Sequence, residues 1–190
     1  MPAAATQLKA VAREAESCTL CPLYRHATQT VFGEGPARAK LMLVGEQPGD
    51  QEDLAGHPFV GPAGKVLDRA MAEAGLDRRK VYLTNAVKHF KNEPRGKKRL
   101  HKRPNRYEVE VCRVWLRQEL SLVKPQLVLA LGVTAAVALA GRPVVLSRER
   151  GKVIELADGW LKELDETGLK ALRARLEKSD ITPVVSSGLQ

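Results

Sequence analysis

The chain is predicted to fold as an α/β protein, a three-layer sandwich with helices on both faces of a mostly parallel sheet. Three observations carry that expectation. KLMLVGE, KVYLTNAV and QLVLAL are apolar runs of strand length, and helical patterns separate them. Strand–helix units repeated in this way need right-handed crossovers, which put helices over both sheet faces. At 190 residues the chain can enclose one sizeable core, and no repeat or composition break divides 1–190 into two domains.

Each element has its own signature. Ala4 to Glu16 carries Leu8, Val11, Ala12 and Ala15 on one helical face. SCTLCPLYRHATQTVFGEGPARA is irregular. KLMLVGE reads as a buried strand ending near Gly45, and a glycine- and proline-rich loop, GEQPGDQEDLAGHPFVG, follows it. Pro62 suits the first turn of the next helix, where its missing N–H costs nothing, and Val66, Leu67, Ala70, Met71 and Ala74 supply the apolar stripe. KVYLTNAV is the second strand, and a basic loop over 91–104 comes after it. Asn105 and Glu108 have capping-box spacing, with Val109, Cys112, Leu116 and Leu120 at helical intervals beyond.

QLVLAL, after Pro125, is the third strand, and Gly132 leads into a small-residue helix, TAAVALA. The segment 142–190 is less regular. There RPVVLSRERGKVIEL suggests a hairpin or two edge strands, WLKELDETGLKALRARLEK a charged helix, and ITPVVSSGLQ a last strand or a loose tail. Ligands of such sheets bind beyond the carboxyl ends of the strands. The loops after Val44, Ala86 and Leu131 are therefore expected to face one crevice.

With 44% hydrophobic and 28% charged residues the composition is that of an ordinary globular protein. No apolar stretch reaches bilayer length, and MPAAATQLKAVAREAE lacks the pattern of a secretory signal. The expectation is a cytoplasmic monomer with no membrane partner. The formal charge of +9 is concentrated, since Lys91 to Arg106 holds eight lysines or arginines against one acid, Glu93. Surface cations are common and need no ligand. Crowded this closely, however, they repel one another unless a polyanion or nearby acids offset them, and phosphates would benefit from the field. Nucleic acid is the expected partner, with Lys97, Lys98, Arg99, Lys102 and Arg103 positioning its backbone without reading sequence.

Three cysteines, Cys18, Cys21 and Cys112, make no disulfide framework, and the C-x-x-C pair points to metal or redox use. A redox pair usually sits at a strand–helix junction, whereas this one follows a helix. Cys112 on a helix face also reads as a buried small hydrophobe, and His89 as a polar loop residue. Thiolate ligation admits zinc or iron–sulfur. GPAGKV is not a phosphate loop, because Val66 stands where Ser or Thr belongs and Phe59 where the first glycine belongs. Glu46, Gln47 and Phe59 lie beyond a strand end. There an aromatic can stack on a base and an amide can read its edge. The alternative is that Phe59 plugs the loop into the core and Gln47 caps a turn. Asn85 ends the second strand, where it either satisfies loop backbone or faces a flipped pyrimidine.

Taken together, these motifs resemble the iron–sulfur, family 4-like uracil-DNA glycosylases, and within them the UdgX branch that becomes covalently attached to uracil-containing DNA. The resemblance rests on Cys18 and Cys21, GEQPG at 45–49, GHPFVGPAG at 56–64, LTNAVKHF at 83–90, KKRLH at 97–101, the helix bearing Cys112, and LVLALGVTAA. It implies a central mostly parallel four-stranded sheet and a 4Fe-4S cluster on Cys18, Cys21, His89 and Cys112. It also implies that Gln47 and Asn85 bind uracil, that Phe59 stacks on it, and that Glu46 works with His101 as catalytic residues. His101 would be the nucleophile that captures the abasic sugar. The implied substrate is uracil in single-stranded or locally opened DNA. A conventional hydrolytic glycosylase and a cluster-containing DNA-binding protein with weak or absent excision are the rival readings. The family's histidine-containing HPS-type motif near the C-terminus has no counterpart, because the four histidines are His26, His57, His89 and His101.

The chemistry is coherent on its own terms. Breaking the N-glycosidic bond builds positive charge on the sugar and negative charge on the base, so a carboxylate and hydrogen-bond donors are both useful. Neutral imidazole is a better nucleophile than imidazolium, so the histidine must hold a free lone pair when it attacks.

Overall fold

A computed structural model describes residues 3–152 and 182–184. Helix α1 (Ala4–Glu16) leads into a single 3-10 turn over Pro22–Arg25, and strand β1 (Leu41–Gly45) follows. Next come the short α2 (Asp50–Ala55), α3 (Pro62–Glu73), a second 3-10 turn (Arg78–Lys80), β2 (Val81–Asn85), the hairpin β3 (Asn92–Arg95) and β4 (Lys98–His101), and α4 (Arg106–Val123). Strand β5 (Leu127–Ala130), α5 (Val133–Ala140), the one-turn α6 (Leu146–Glu149) and β6 (Thr182–Val184) complete the described elements.

The main sheet has the order β2-β1-β5-β6. β1 pairs in parallel with β2, Gly45 opposite Asn85, and with β5, Val44 opposite Ala130. β6 runs antiparallel along β5, so the sheet is four-stranded and mostly parallel. Alternate residues of each strand face opposite ways. Met42, Val44, Tyr82, Val128 and Ala130 pack with α1, α4 and α5, whereas Leu43, Leu83 and Leu129 pack with Leu67 and Met71 of α3. Two cores on two faces give the predicted three layers. A fully buried Leu or Met contributes about 1.5–3 kcal/mol in such a place, and Met42, Leu43, Met71 and Leu116 are all at this depth.

Helix α4 starts as its sequence requires. The Asn105 side chain accepts from the Glu108 N–H, and the Glu108 carboxylate accepts from the Asn105 N–H. Pro62 is at the start of α3, as expected. Val66 is a correction, since it is 68% exposed. The helix turns Gly64, Leu67 and Met71 inward, and Val66 stands about 100° round from Leu67 on the solvent side.

The basic segment is a hairpin, not an irregular loop. Arg95 pairs with Lys98 around Gly96 and Lys97, and Gly96 has φ +61, as a two-residue turn with glycine first demands. Pro94 and the lack of apolar alternation conceal it in the sequence. Beyond Gly141, Leu146–Glu149 forms a helical turn where strands were expected, because the Glu149 carboxylate accepts from the Val145 N–H and pairs with Arg142. The predicted charged helix after Trp160 lies outside the described residues. Thr182–Val184 is the expected last strand.

Candidate active site

The three strand-end loops converge as the topology requires. Glu46 follows β1, Asn85 closes β2, and Thr134 opens α5 beyond β5. The Thr134 hydroxyl donates to Glu46 Oε2, and Arg103 Nε lies 3.7 Å from the same oxygen. The other carboxylate oxygen, Oε1, faces His101 Nε2 at 3.7 Å. His101 is the last residue of β4, so the hairpin carries it over the end of the main sheet.

Gln47 decides the state of that histidine. Its Oε1 accepts from the Lys91 N–H at 3.0 Å, so its nitrogen faces the other way and donates to the Lys102 carbonyl at 2.9 Å. The same nitrogen is 2.8 Å from His101 Nε2. With the amide oriented by backbone on both ends, Nε2 of His101 is the acceptor. The Nε2 lone pair is thus directed at the Gln47 amide, with Glu46 Oε1 beside it.

A cavity of 420 Å³ opens beneath this group, lined by Gln47, Asp50, Phe59, Pro62, Asn85 and His101 among others. Its size is within the range of small-molecule sites, about 300–1,000 Å³. Asn85 is 3% exposed, and its side-chain amide opens on the cavity without a hydrogen-bond partner among the described residues. Phe59 has φ +57, the left-handed region, which an aromatic residue adopts only at a cost of about 1–3 kcal/mol. Gly45 separates Phe59 from Asn85, and a Cβ there would collide with the ring of one and the amide oxygen of the other. A larger groove, 650 Å³, lies at the opposite end of the sheet near Lys40 and Gln126, but it has no acid, histidine or aromatic lining.

The five predicted DNA-contacting cations divide into two kinds. Lys97 and Lys98 are exposed at the hairpin tip and have no acidic partner among the described residues. Arg99 pairs with Asp50 and Asp53 of α2 and lies over the Phe90 ring, 5.3 Å from its centre. Arg103 is turned to Glu46 and Thr134, while Lys102 pairs with Glu93 across the hairpin in solvent. Arg99 thus fastens the hairpin to α2.

Behind the pocket floor lies a buried pair that sequence inspection misses. Lys88 and Glu119 are both fully buried and meet at 2.6 Å. Lys88 Nζ also donates to Thr84 Oγ1 at 2.6 Å and to the Asn85 carbonyl at 2.7 Å. Glu119 Oε1 accepts from the Gly33 N–H, Tyr82 and Thr84. A glutamate between Leu116 and Leu120 on an apolar helix face is the available sequence signal.

The three cysteines lie close enough that Cys18 and Cys21 each disfavour the thiolate of Cys112, which burial above all pushes up to about 12. Burial likewise raises Cys21, with Cys18 adding to it. The Lys88 N–H donates to Cys112 Sγ, and the Trp115 indole N–H donates to Cys18 Sγ, each at 3.2 Å. His89 is buried, its pKa lowered by desolvation, and its Nε2 is 3.0 Å from Thr30 Oγ1. Among the described residues no group of three or more His, Cys, Asp or Glu side chains is arranged to hold a metal ion. Cys18 and Cys112 each accept an N–H hydrogen bond, while the His89 ring is turned toward Thr30.

The sheet-end pocket thus brings together an aromatic with left-handed backbone, a side-chain amide and a histidine with a carboxylate beside it. The family model described as the uracil DNA glycosylase superfamily matches residues 32–185. The chain belongs to that superfamily. It is similar to the Type-4 uracil-DNA glycosylase of Pyrobaculum aerophilum, 41% identical over 65% of this chain and 60% of that protein. It is also similar to those of Thermotoga maritima, 33% over 80% and 76%, and Archaeoglobus fulgidus, 37% over 81% and 75%. The chain thus spans less than two thirds of the first relative and about three quarters of the other two. No helix among the described residues is long and apolar enough to cross a membrane.

Proposed function

We propose that this protein excises uracil from DNA and that His101 then captures the exposed sugar as a covalent adduct. The observation that carries the proposal is the orientation of Gln47, which makes His101 Nε2 a lone-pair acceptor 3.7 Å from the Glu46 carboxylate. The Type-4 relatives, named for uracil-DNA, supply the substrate class.

The uracil enters the cavity beside Phe59, and the Asn85 amide pairs with its edge. The C1′–N1 bond breaks with both electrons leaving on the base, whose developing charge Asn85 stabilises by donation. Glu46 remains ionised and stabilises the cationic sugar. Released from the Gln47 hydrogen bond, the Nε2 lone pair of His101 forms the new bond to C1′, giving an imidazolium that loses its Nδ1 proton to solvent. Because the histidine is already held at the mouth, its effective concentration exceeds that of any diffusing water. Lys97 and Lys98 bind phosphates of an opened or single strand, where flipping a base costs least.

The test is incubation with uracil-containing single-stranded DNA, followed by denaturing electrophoresis and a uracil-release assay. The expected result is a denaturation-resistant complex that His101→Gly abolishes while uracil release persists. Release with no complex would leave a hydrolytic glycosylase, and neither product would leave a DNA-binding protein. A His101→Ala protein that cross-links at the original rate would overturn the assignment.

We further propose that Cys18, Cys21 and Cys112 hold a 4Fe-4S cluster, with His89 completing the set through Nδ1, since Nε2 is engaged with Thr30. Bound there, such a cluster would tie the segment after α1 to α4 and to the lead-in of the hairpin. Iron and sulfide analysis of anaerobically purified protein tests this; stoichiometric zinc without iron would refute it.

A further inference from the structure

The backbone of Phe59 is strained, and the structure identifies what holds it. Arg78 stands in the second 3-10 turn, Arg78–Lys80, which precedes β2. From Nη2 it donates to two successive carbonyls, Pro58 at 3.2 Å and Phe59 at 3.1 Å. Its Nη1 is bound to Asp68 of α3. A planar guanidinium is suited to this fork, whereas a lysine ammonium is a single point donor. On the other side of the same carbonyl lies Gly64, where any Cβ would collide with the Phe59 oxygen. The Pro58–Phe59 segment is therefore gripped between a side chain and a helix start.

We infer that Arg78 is a positioning residue for base recognition, holding the Phe59 ring in the cavity by fixing the carbonyls on both sides of its amide. This rests on the reading of Phe59 as the residue that stacks on the base. A left-handed residue relaxes when its restraints are released, and rotation about its φ carries the ring with it. Arg78 is not itself a lining residue and meets the lining only at Phe59, so its influence on the reaction runs through that residue. The competing account is that Arg78 only staples the β2 lead-in to α3. That account predicts a lower melting temperature and nothing specific to Phe59.

The experiment is single-turnover uracil release from single-stranded DNA by the full chain, measured over a range of enzyme concentrations. The proteins compared are the original, Arg78→Ala, Arg78→Lys, Phe59→Ala and the Phe59→Ala/Arg78→Ala double. Arg78→Ala is expected to raise the half-saturating concentration about tenfold while the maximal rate changes by less than about threefold. Arg78→Lys, which keeps the Asp68 pair, should recover part of that loss. In the Phe59→Ala background the arginine change should add less than about twofold, because the ring it positions is gone. Full additivity, or a melting shift with unchanged half-saturation, overturns the inference. If Phe59→Ala raises the half-saturating concentration and neither Arg78 variant does, the inference falls and the stacking role stands. If Phe59→Ala leaves it unchanged, the stacking role itself fails and takes the inference with it. Should the alanine variant not fold, the lysine variant carries the comparison.

Discussion

Glu46 Oε1 and His101 Nε2 stand 3.7 Å apart across the mouth of the pocket, while Thr134 fastens the opposite carboxylate oxygen. The separation exceeds a hydrogen bond but leaves the carboxylate's field strong at the histidine once water is excluded. One carboxylate is thus oriented by a helix start and aimed at the histidine. Glu46→Gln, which keeps the shape and removes the charge, should slow both uracil release and adduct formation by about 10²–10³. Thr134→Ala should cost about tenfold by loosening the same carboxylate. Single-turnover rates of both products check this, and a Glu46→Gln protein with unaltered release would contradict it.

Gln47 separates the two outcomes. Gln47→Ala removes the donor to His101 and the clamp across Lys91 and Lys102. Adduct yield per uracil released is expected to fall about tenfold, as a misplaced nucleophile loses to water. The ratio of the two products on one gel and one release assay is the measurement.

Hairpin cations should behave unequally. Changing Lys97 and Lys98 to Gln is expected to lower the slope of log affinity against log salt by about two. Arg99→Gln should instead cost about 1–3 kcal/mol of stability through its lost charge-assisted hydrogen bonds to α2, with a smaller change in slope. Salt titrations and thermal melts of both variants separate phosphate contact from fastening.

For the buried Lys88–Glu119 pair, Glu119→Gln strands a lysine without its counter-charge and should cost about 3–5 kcal/mol. The Lys88→Met/Glu119→Leu double is expected to be less damaging than that single change, because it removes both charges from the apolar interior. Urea unfolding with an unchanged slope gives the comparison.

Tyr82 supplies a pH dependence. Burial first, then the charge of Glu119, raises its pKa above the ordinary 10.0. Above that pH the unfolded chain loses the phenolic proton while the folded chain keeps it, so stability is full below about pH 10 and falls as pH rises further. Tyr82→Phe should remove this part of the alkaline decline, which denaturation at several alkaline pH values will show.

Much of this molecule was legible from local chemistry. The three apolar runs became parallel strands, Pro62 began its helix, and Asn105 with Glu108 closed a capping box, because each depends on residues within a turn or a strand of one another. Of the motif residues, Gln47, Phe59, Asn85 and His101 line one pocket and Glu46 stands beside His101, an arrangement that strand-end loops of a parallel sheet allow. Val66 and the basic hairpin were misread, since a helix face is chosen by what packs against it and this hairpin has no apolar alternation to announce it.

Fold class, the strand ends that carry the site and the charge that points to a polyanion are all written in local patterning of the chain. Which of those residues are free to act depends on long-range contacts. Folding commits Gln47 to the hairpin and to His101 Nε2, Arg99 to two aspartates, Lys88 to Glu119, and Arg78 to the carbonyls around Phe59. These pairings join residues 10 or more positions apart, and most of them several tens. Such partners are selected by distance, burial and the need to satisfy every buried charge and donor, and none of those quantities exists until the chain has closed on itself.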